Sequence, residues 1–244
     1  MTGRIPAILR LMMIQAAWNY ERMQGIGFAW GSLPLLRPLA AADPERHRQA
    51  VARAAEFFNA NPFLAGAAAG ATARAEVDGV PGPQVARLRT ALCGPLGALG
   101  DQLFWMGIVP GLAATMLLAV GLGAGWWWPV SVVILFAAGR FMIGWWALGQ
   151  GWQHGMAIGT VIQQSWLSKG IEWAGRSGAL LVGLAIPVAT WWLLGPVPPS
   201  RRWLALALAL VLYRLAGRVA RRLGVLELTV GTMLLTTLWY WSTT

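Results

Sequence analysis

From residue 103 onward the chain is a succession of apolar runs, roughly 103–124, 126–148, 176–195, 203–216 and 225–241, with few acidic residues between them. A helix that crosses the hydrocarbon core of a bilayer needs about 20 apolar residues, and the first three runs reach that length. With no water in that layer to satisfy backbone N–H and C=O groups, such runs fold as helices. The expectation is an all-α polytopic membrane protein with about four to five transmembrane segments, the short run at 203–216 extending towards Arg218. Composition agrees: 57% of the residues are hydrophobic and 11% charged, against about 45–50% and about 25% in soluble domains. Trp126, Trp127 and Trp128, Trp191 and Trp192, and Trp239 and Trp241 suit the membrane–water interface.

The formal net charge is +10. In a soluble chain that would suggest nucleic acid, but here the arginines flank apolar runs, so the partner they imply is the anionic face of a lipid bilayer. Arg214, Arg218, Arg221 and Arg222 mark a cytoplasmic helix end, which sends the last span outwards. One cysteine, Cys93, and two histidines, His47 and His154, support neither a disulfide framework, a zinc site nor a nucleophile–base pair. No metal or cofactor is expected. Arg4, Pro6 and Arg10 interrupt the start, which does not read as a cleavable signal.

The chain reads as a single membrane domain, 1–244, that divides near residue 101. Residues 1–100 are more polar. Across 5–39 an apolar background is broken by Gln15, Asn19, Glu21, Arg22 and Gln24, a pattern for a re-entrant or protein-buried segment. Asp43-Pro44-Glu45 is a helix start, with Asp43 as cap and Pro44 in the first turn. Val51, Ala54, Ala55 and Phe58 continue an amphipathic helix that ends near Asn59, because Asn61-Pro62 disfavours continuation. Gly66 and Gly70, four apart in an alanine-rich stretch, permit close helix approach. Val80-Pro81-Gly82-Pro83 reads as a loop, followed by a short helix through Arg87 and Arg89. Gly94, Pro95, Gly97 and Gly100 then form a kink ahead of Asp101, in the manner of the broken helices of transporters. No Lys-Ser/Thr follows these glycines, so they are not a nucleotide phosphate loop.

Three stretches, taken together and in order, carry a resemblance: Trp18-Asn-Tyr-Glu-Arg-Met-Gln24-Gly25, Glu56-Phe-Phe-Asn59-Ala-Asn-Pro62, and Gly94-Pro-Leu-Gly-Ala-Leu-Gly-Asp101 with Phe104-Trp105. They resemble the IID subunit of mannose-family phosphotransferase-system (PTS) permeases, as do Gly149-Gln-Gly-Trp152 and Lys169-Gly-Ile-Glu172 further on. The resemblance covers about residues 5–190. It implies pairing with a IIC membrane subunit, assembly as a trimer of IIC–IID pairs in the bacterial inner membrane, and inward movement of a hexose or aminosugar. Cytoplasmic IIA and IIB domains would supply the phosphate, so IID itself is not catalytic and carries no phosphorylated residue. Two departures stand out. The Phe-Asn-Thr of the family reads Phe58-Asn59-Ala60, and only Gly195-Pro-Val-Pro-Pro-Ser-Arg-Arg202 stands where the family carries a longer insertion. The second departure keeps open a IID-derived scaffold or regulatory subunit that no longer transports.

Under this resemblance the candidate substrate or gate residues are Asn19, Glu21 and Asp101, supported by Gln15, Trp18, Arg22, Gln24, Asn59, Pro62, Gly94, Pro95, Gly100 and Trp105. Recognising a ring of hydroxyls takes groups that donate and accept, which amides and carboxylates provide. If residues 15–22 are helical, Gln15, Asn19 and Arg22 form one stripe and Glu21 points away from it. That stripe could equally pack on IIC, with Glu21 neutralising Arg22 or Arg10. Asp101 could accept from sugar hydroxyls beside the ring of Trp105 or Phe104, or cap a helix starting at Gln102. Arg140, in the middle of an apolar run, calls for an acidic partner, with Glu172 and Glu227 as candidates.

Overall fold

The computed structural model describes residues 1, 3–194 and 211. The chain forms two compact units, Met1–Ala189 and Thr190–Thr244, and the account below concerns the first. The expected run at 203–216 apart from Val211, the run at 225–241, the Gly195–Arg202 stretch, the Arg214–Arg222 cluster and Glu227 lie outside the described residues.

Among the described residues the regular structure is helical: α1 Arg4–Leu11, α2 Gly25–Ser32, α3 Arg37–Ala42, α4 Pro44–Ala54, α5 Ala65–Val77, α6 Gly82–Gly100, α7 Val109–Gly121, α8 Trp127–His154, α9 Ile158–Gln163 and α10 Trp166–Leu194. Two helical stretches, Gly82–Gly121 and Trp127–Gln163, are long and apolar enough to cross a membrane.

The centre of the unit is α5. Its alanine-rich sequence has high helix propensity, and Ala65 to Ala73 are buried without a break. Small side chains let α5 lie directly on α8. A Cβ on Gly70 would collide with the Leu148 carbonyl oxygen and stand 2.7 Å from the Trp152 nitrogen, and one on Gly151 would collide with the Ala67 carbonyl. The pairing of Gly66 with Gly70 thus does what its spacing implies, closing two backbones against each other.

Asp43 caps α4 by accepting from the Arg46 N–H at 3.0 Å. The helix stops at Ala54 rather than near Asn59, because the backbone beyond it is used elsewhere. The Phe58 N–H donates to the Arg22 carbonyl at 3.2 Å, and the Gln24 N–H donates to the Phe58 carbonyl at 2.8 Å. Arg46 and Arg53, two turns apart on one face of α4, reach Glu76 near the end of α5. Arg53 binds its carboxylate with two N–H donors at 2.8 Å each, and the Glu76 side chain is only 4% exposed. A bidentate, charge-assisted contact is the strong form of this interaction.

Two further expectations change. Val80–Pro81 turns the chain, but α6 starts at once at Gly82, with Pro83 in its first turn where no N–H is needed. The Gly94–Gly100 stretch does not break. The helix runs through Pro95, widens into a π-helix over Asp101–Ile108 and continues as α7. The widened turns end just before Pro110, which has no N–H for the carbonyl four residues back. Residue 101 therefore falls inside one helix of 40 residues. Gly107 and Gly111 on this helix let α10 cross closely at Ala174 and Gly178.

A cleft between two loops and helix α6

The segment from Met12 to Gln24 is a series of turns, not a helix, so the stripe of Gln15, Asn19 and Arg22 does not form. Asn19 explains why. Its Oδ1 accepts from the backbone N–H groups of Glu21 at 3.1 Å and Arg22 at 2.9 Å, holding the chain in a turn. The Asn19 and Met23 backbones then pair with each other, and Met23 sits at φ 51°. The second loop, residues 55–61, is stitched to the first through the Gln24 side chain. The Gln24 Nε2 donates to the Ala60 carbonyl at 2.8 Å, and its Oε1 accepts from the Ala60 N–H at 3.3 Å. Gln24 is 3% exposed, so both its polar groups are spent on this join.

The two loops face α6 across an open cleft of about 400 Å3. Gln15 and Gln24 line it from the first loop, and Phe57, Asn59, Ala60 and Pro62 from the second. The helix contributes Cys93, Gly94, Gly97, Ala98, Asp101 and Trp105. A Cβ on Gly94 or Gly97 would meet nothing within 4 Å, so these glycines leave a bare helix face as the floor. Asp101 is exposed at the end of that floor and caps no helix. Its Oδ1 accepts from Asn61 Nδ2 at 2.9 Å, while Asn61 Oδ1 accepts from the Phe63 N–H at 3.0 Å. Asn61 is 1% exposed and acts as a fixed bracket for the carboxylate. A Cβ on Gly100 would collide with the Asn61 side chain, so Gly100 gives that bracket its room. Behind the cleft, Phe63 stacks on Phe104 with centroids 4.0 Å apart and meets the edge of Trp105 at 5.8 Å.

Of the residues singled out in the sequence, Gln15, Gln24, Asn59, Pro62, Gly94, Asp101 and Trp105 come together in this cleft. Trp18, Asn19, Glu21, Arg22, Pro95 and Gly100 do not line it. Trp18 meets Tyr20 edge-on at 4.8 Å, Glu21 is exposed on the first loop, and Pro95 is exposed on α6. The residues not chosen as site candidates are Phe57, Ala60, Cys93, Gly97 and Ala98, which line the cleft, and Asn61, which brackets Asp101. Asn61 was within sight, since a polar side chain two places before a phenylalanine pair partner and next to Pro62 is a turn former. Arg140 has no acidic partner among the described residues. Its Nη2 donates to the Met12 carbonyl at 2.7 Å, and Glu172 pairs instead with Arg176 on its own helix.

Chemically, the cleft offers one carboxylate, two side-chain amides, those of Gln15 and Asn59, and an indole face, with no lysine, arginine or histidine among the described residues that line it. It can donate and accept hydrogen bonds around a small polar molecule, with an apolar ring to cover one face.

Residues 3–191 match the family described as the PTS system mannose/fructose/sorbose family IID component. The chain is 30% identical over 183 residues to the PTS system mannose-specific EIID component of Escherichia coli K12, covering 73% of this chain and 64% of that relative. It is 28% identical over 183 residues to the fructose permease IID component of Bacillus subtilis, covering 73% of this chain and 66% of the relative. The chain thus spans just under two thirds of the length of these proteins. Among solved structures it resembles a chain from a cryoEM structure of the mannose transporter ManYZ with microcin E492, at TM-score 0.57 and 24% identity, covering 98% of this chain and 95% of the other. A second, described as the structure of a membrane protein, aligns at TM-score 0.70 and 22% identity over 98% of this chain and 95% of its own. These two likenesses establish the fold.

Proposed function

The chain belongs to the mannose/fructose/sorbose family of PTS IID components, and from that premise we propose that it is the IID membrane subunit of a sugar permease. With a IIC subunit it binds a hexose or aminosugar and moves it inward, where cytoplasmic IIA and IIB domains phosphorylate it. The subunit is not catalytic alone. It forms one membrane domain over residues 1–244 and crosses the bacterial inner membrane about four to five times. The α1–α2 hairpin acts as a re-entrant element, since two helices of eight residues are each about 12 Å long and too short to span. Assembly is a trimer of IIC–IID pairs.

The observation that carries this reading is the cleft on α6. Its volume of about 400 Å3 lies in the range of roughly 300–1,000 Å3 typical of small-molecule sites. Asp101, held by Asn61 through one oxygen, has the other for sugar hydroxyls, and Gln15 and Asn59 supply amides that donate and accept. Trp105 covers an apolar face of the ring. Asn19 shapes the first loop and Gln24 joins it to the second.

The test is uptake of labelled mannose, glucosamine and fructose by cells that lack their own mannose permease and express this chain with its IIC, IIA and IIB. Phosphorylated sugar forms with the wild-type chain and not without it. Asp101→Asn lowers uptake roughly tenfold or more, the scale of losing a hydrogen bond to a charged group, while the complex still assembles. An assembled wild-type complex that phosphorylates no sugar would replace this reading with the scaffold suggested by the brief Gly195–Arg202 stretch.

A further inference from the structure

Arg140 is a cation halfway along α8, on a stretch apolar enough to cross a membrane. A charge there is costly and persists where it has work to do. No carboxylate among the described residues pairs with it. Its guanidinium instead has two neighbours. One N–H edge donates to the Met12 carbonyl at 2.7 Å, and the Cζ stands 5.4 Å from the centroid of the Phe63 ring. Met12 is the C-cap of α1, where carbonyls carry negative partial charge and have no helical donor. A planar guanidinium can serve a carbonyl along its edge and a ring across its face at once.

These two neighbours belong to different walls of the cleft. Three residues after Met12 the first loop places Gln15 in the cleft. On the other side, the Phe63 N–H holds Asn61, Asn61 holds Asp101, and the Phe63 ring rests on Phe104 and Trp105. Arg140 itself does not line the cleft. We propose that Arg140 is a positioning residue that sets the distance between the Gln15 loop and the Asp101–Trp105 wall by gripping Met12 and Phe63 together. Its consequence for transport rests on the reading of the cleft as a sugar contact.

The chain's one cysteine, Cys93, is partly exposed and lines the same cleft, so its rate of alkylation reports the cleft's shape without any sugar. The experiment measures maleimide labelling of Cys93, read by mass on this chain in membranes where it is co-expressed with IIC, together with KM and kcat for sugar uptake. Arg140→Gln shifts the labelling rate about threefold or more and raises KM about tenfold, with kcat within about twofold, as expected for a lost charged hydrogen bond and ring contact. Arg140→Lys keeps the cation and a donor for Met12 but lacks the planar face, and it falls between wild type and Arg140→Gln on both. Cys93 labelled at the wild-type rate in Arg140→Gln would overturn the proposal. If that variant does not assemble, Arg140→Met keeps the apolar stem while removing both the donor and the cation, and it shifts labelling about threefold or more. An unchanged rate there overturns the proposal equally. Shifted labelling with unchanged KM supports the grip of Arg140 and instead removes the sugar reading of the cleft.

Discussion

Two surfaces of this protein are built on glycine, and they use it for opposite ends. Along the α5–α8 seam, Gly70 and Gly151 face backbone atoms of the opposing helix, so that the missing side chain is replaced by protein. Along α6, Gly94 and Gly97 face open space, and the missing side chain is replaced by the cleft. The same residue spaced three or four apart on a helix gives a dry contact in one place and a floor in the other. What decides is the partner. α8 offers a matching stripe of Gly144, Ala147, Leu148 and Gly151, whereas opposite α6 stand loops held off by their own hydrogen bonds through Gln24 and Asn61.

Substitutions at these glycines should separate the two surfaces. The largest effect belongs to Gly70→Leu, which drives a side chain into the α8 backbone and costs about 3 kcal/mol or more, at or beyond the usual range for overpacking. It should abolish accumulation of the folded chain in membranes, and normal accumulation would mean the seam is looser than described. Next comes Gly151→Ala, a single Cβ against the Ala67 carbonyl, expected to cost about 1–3 kcal/mol and to lower the thermal midpoint of the detergent-solubilised complex. The smallest is Gly97→Ala. With nothing near the new Cβ, it should leave stability unchanged or raise it by about 0.5–1 kcal/mol through helix propensity, while slowing alkylation of Cys93. A loss of stability at Gly97 as large as at Gly151 would erase the distinction between seam and floor.

The sequence made the seam legible and the cleft only half so. Gly66 and Gly70 in an alanine-rich helix, and the Asp43-Pro44-Glu45 start, are local signals whose physical reasons hold whatever surrounds them. The cleft depends on relations across the chain. Periodicity across Gln15, Asn19 and Arg22 suggested a helix, but Asn19 takes two backbone N–H groups and stabilises turns instead, a competition that spacing does not reveal. Gly94 to Gly100 suggested a break, yet a proline inside a helix costs one hydrogen bond, and buried Leu92, Leu96 and Gly100 on the same helix offset it by packing. Asp101 was identifiable as an acid needing a partner. That its partner is Asn61, 40 positions earlier, follows only from the way the second loop is tied to the first. Arg140 called for an acid, and the fold answers with a carbonyl and a ring.

Gly82–Gly121 runs as one continuous helical stretch of 40 residues, and Pro95 and the widened turns at Asp101–Ile108 are the places where such a helix bends. The cleft floor and the apolar stretch beyond it are therefore connected through a joint that begins at Asp101. A bend at that joint would move Asp101 and Trp105 against Gly94 and Gly97, so a shift of the helix where it crosses α10 at Gly107 and Gly178 would change the shape of the cleft.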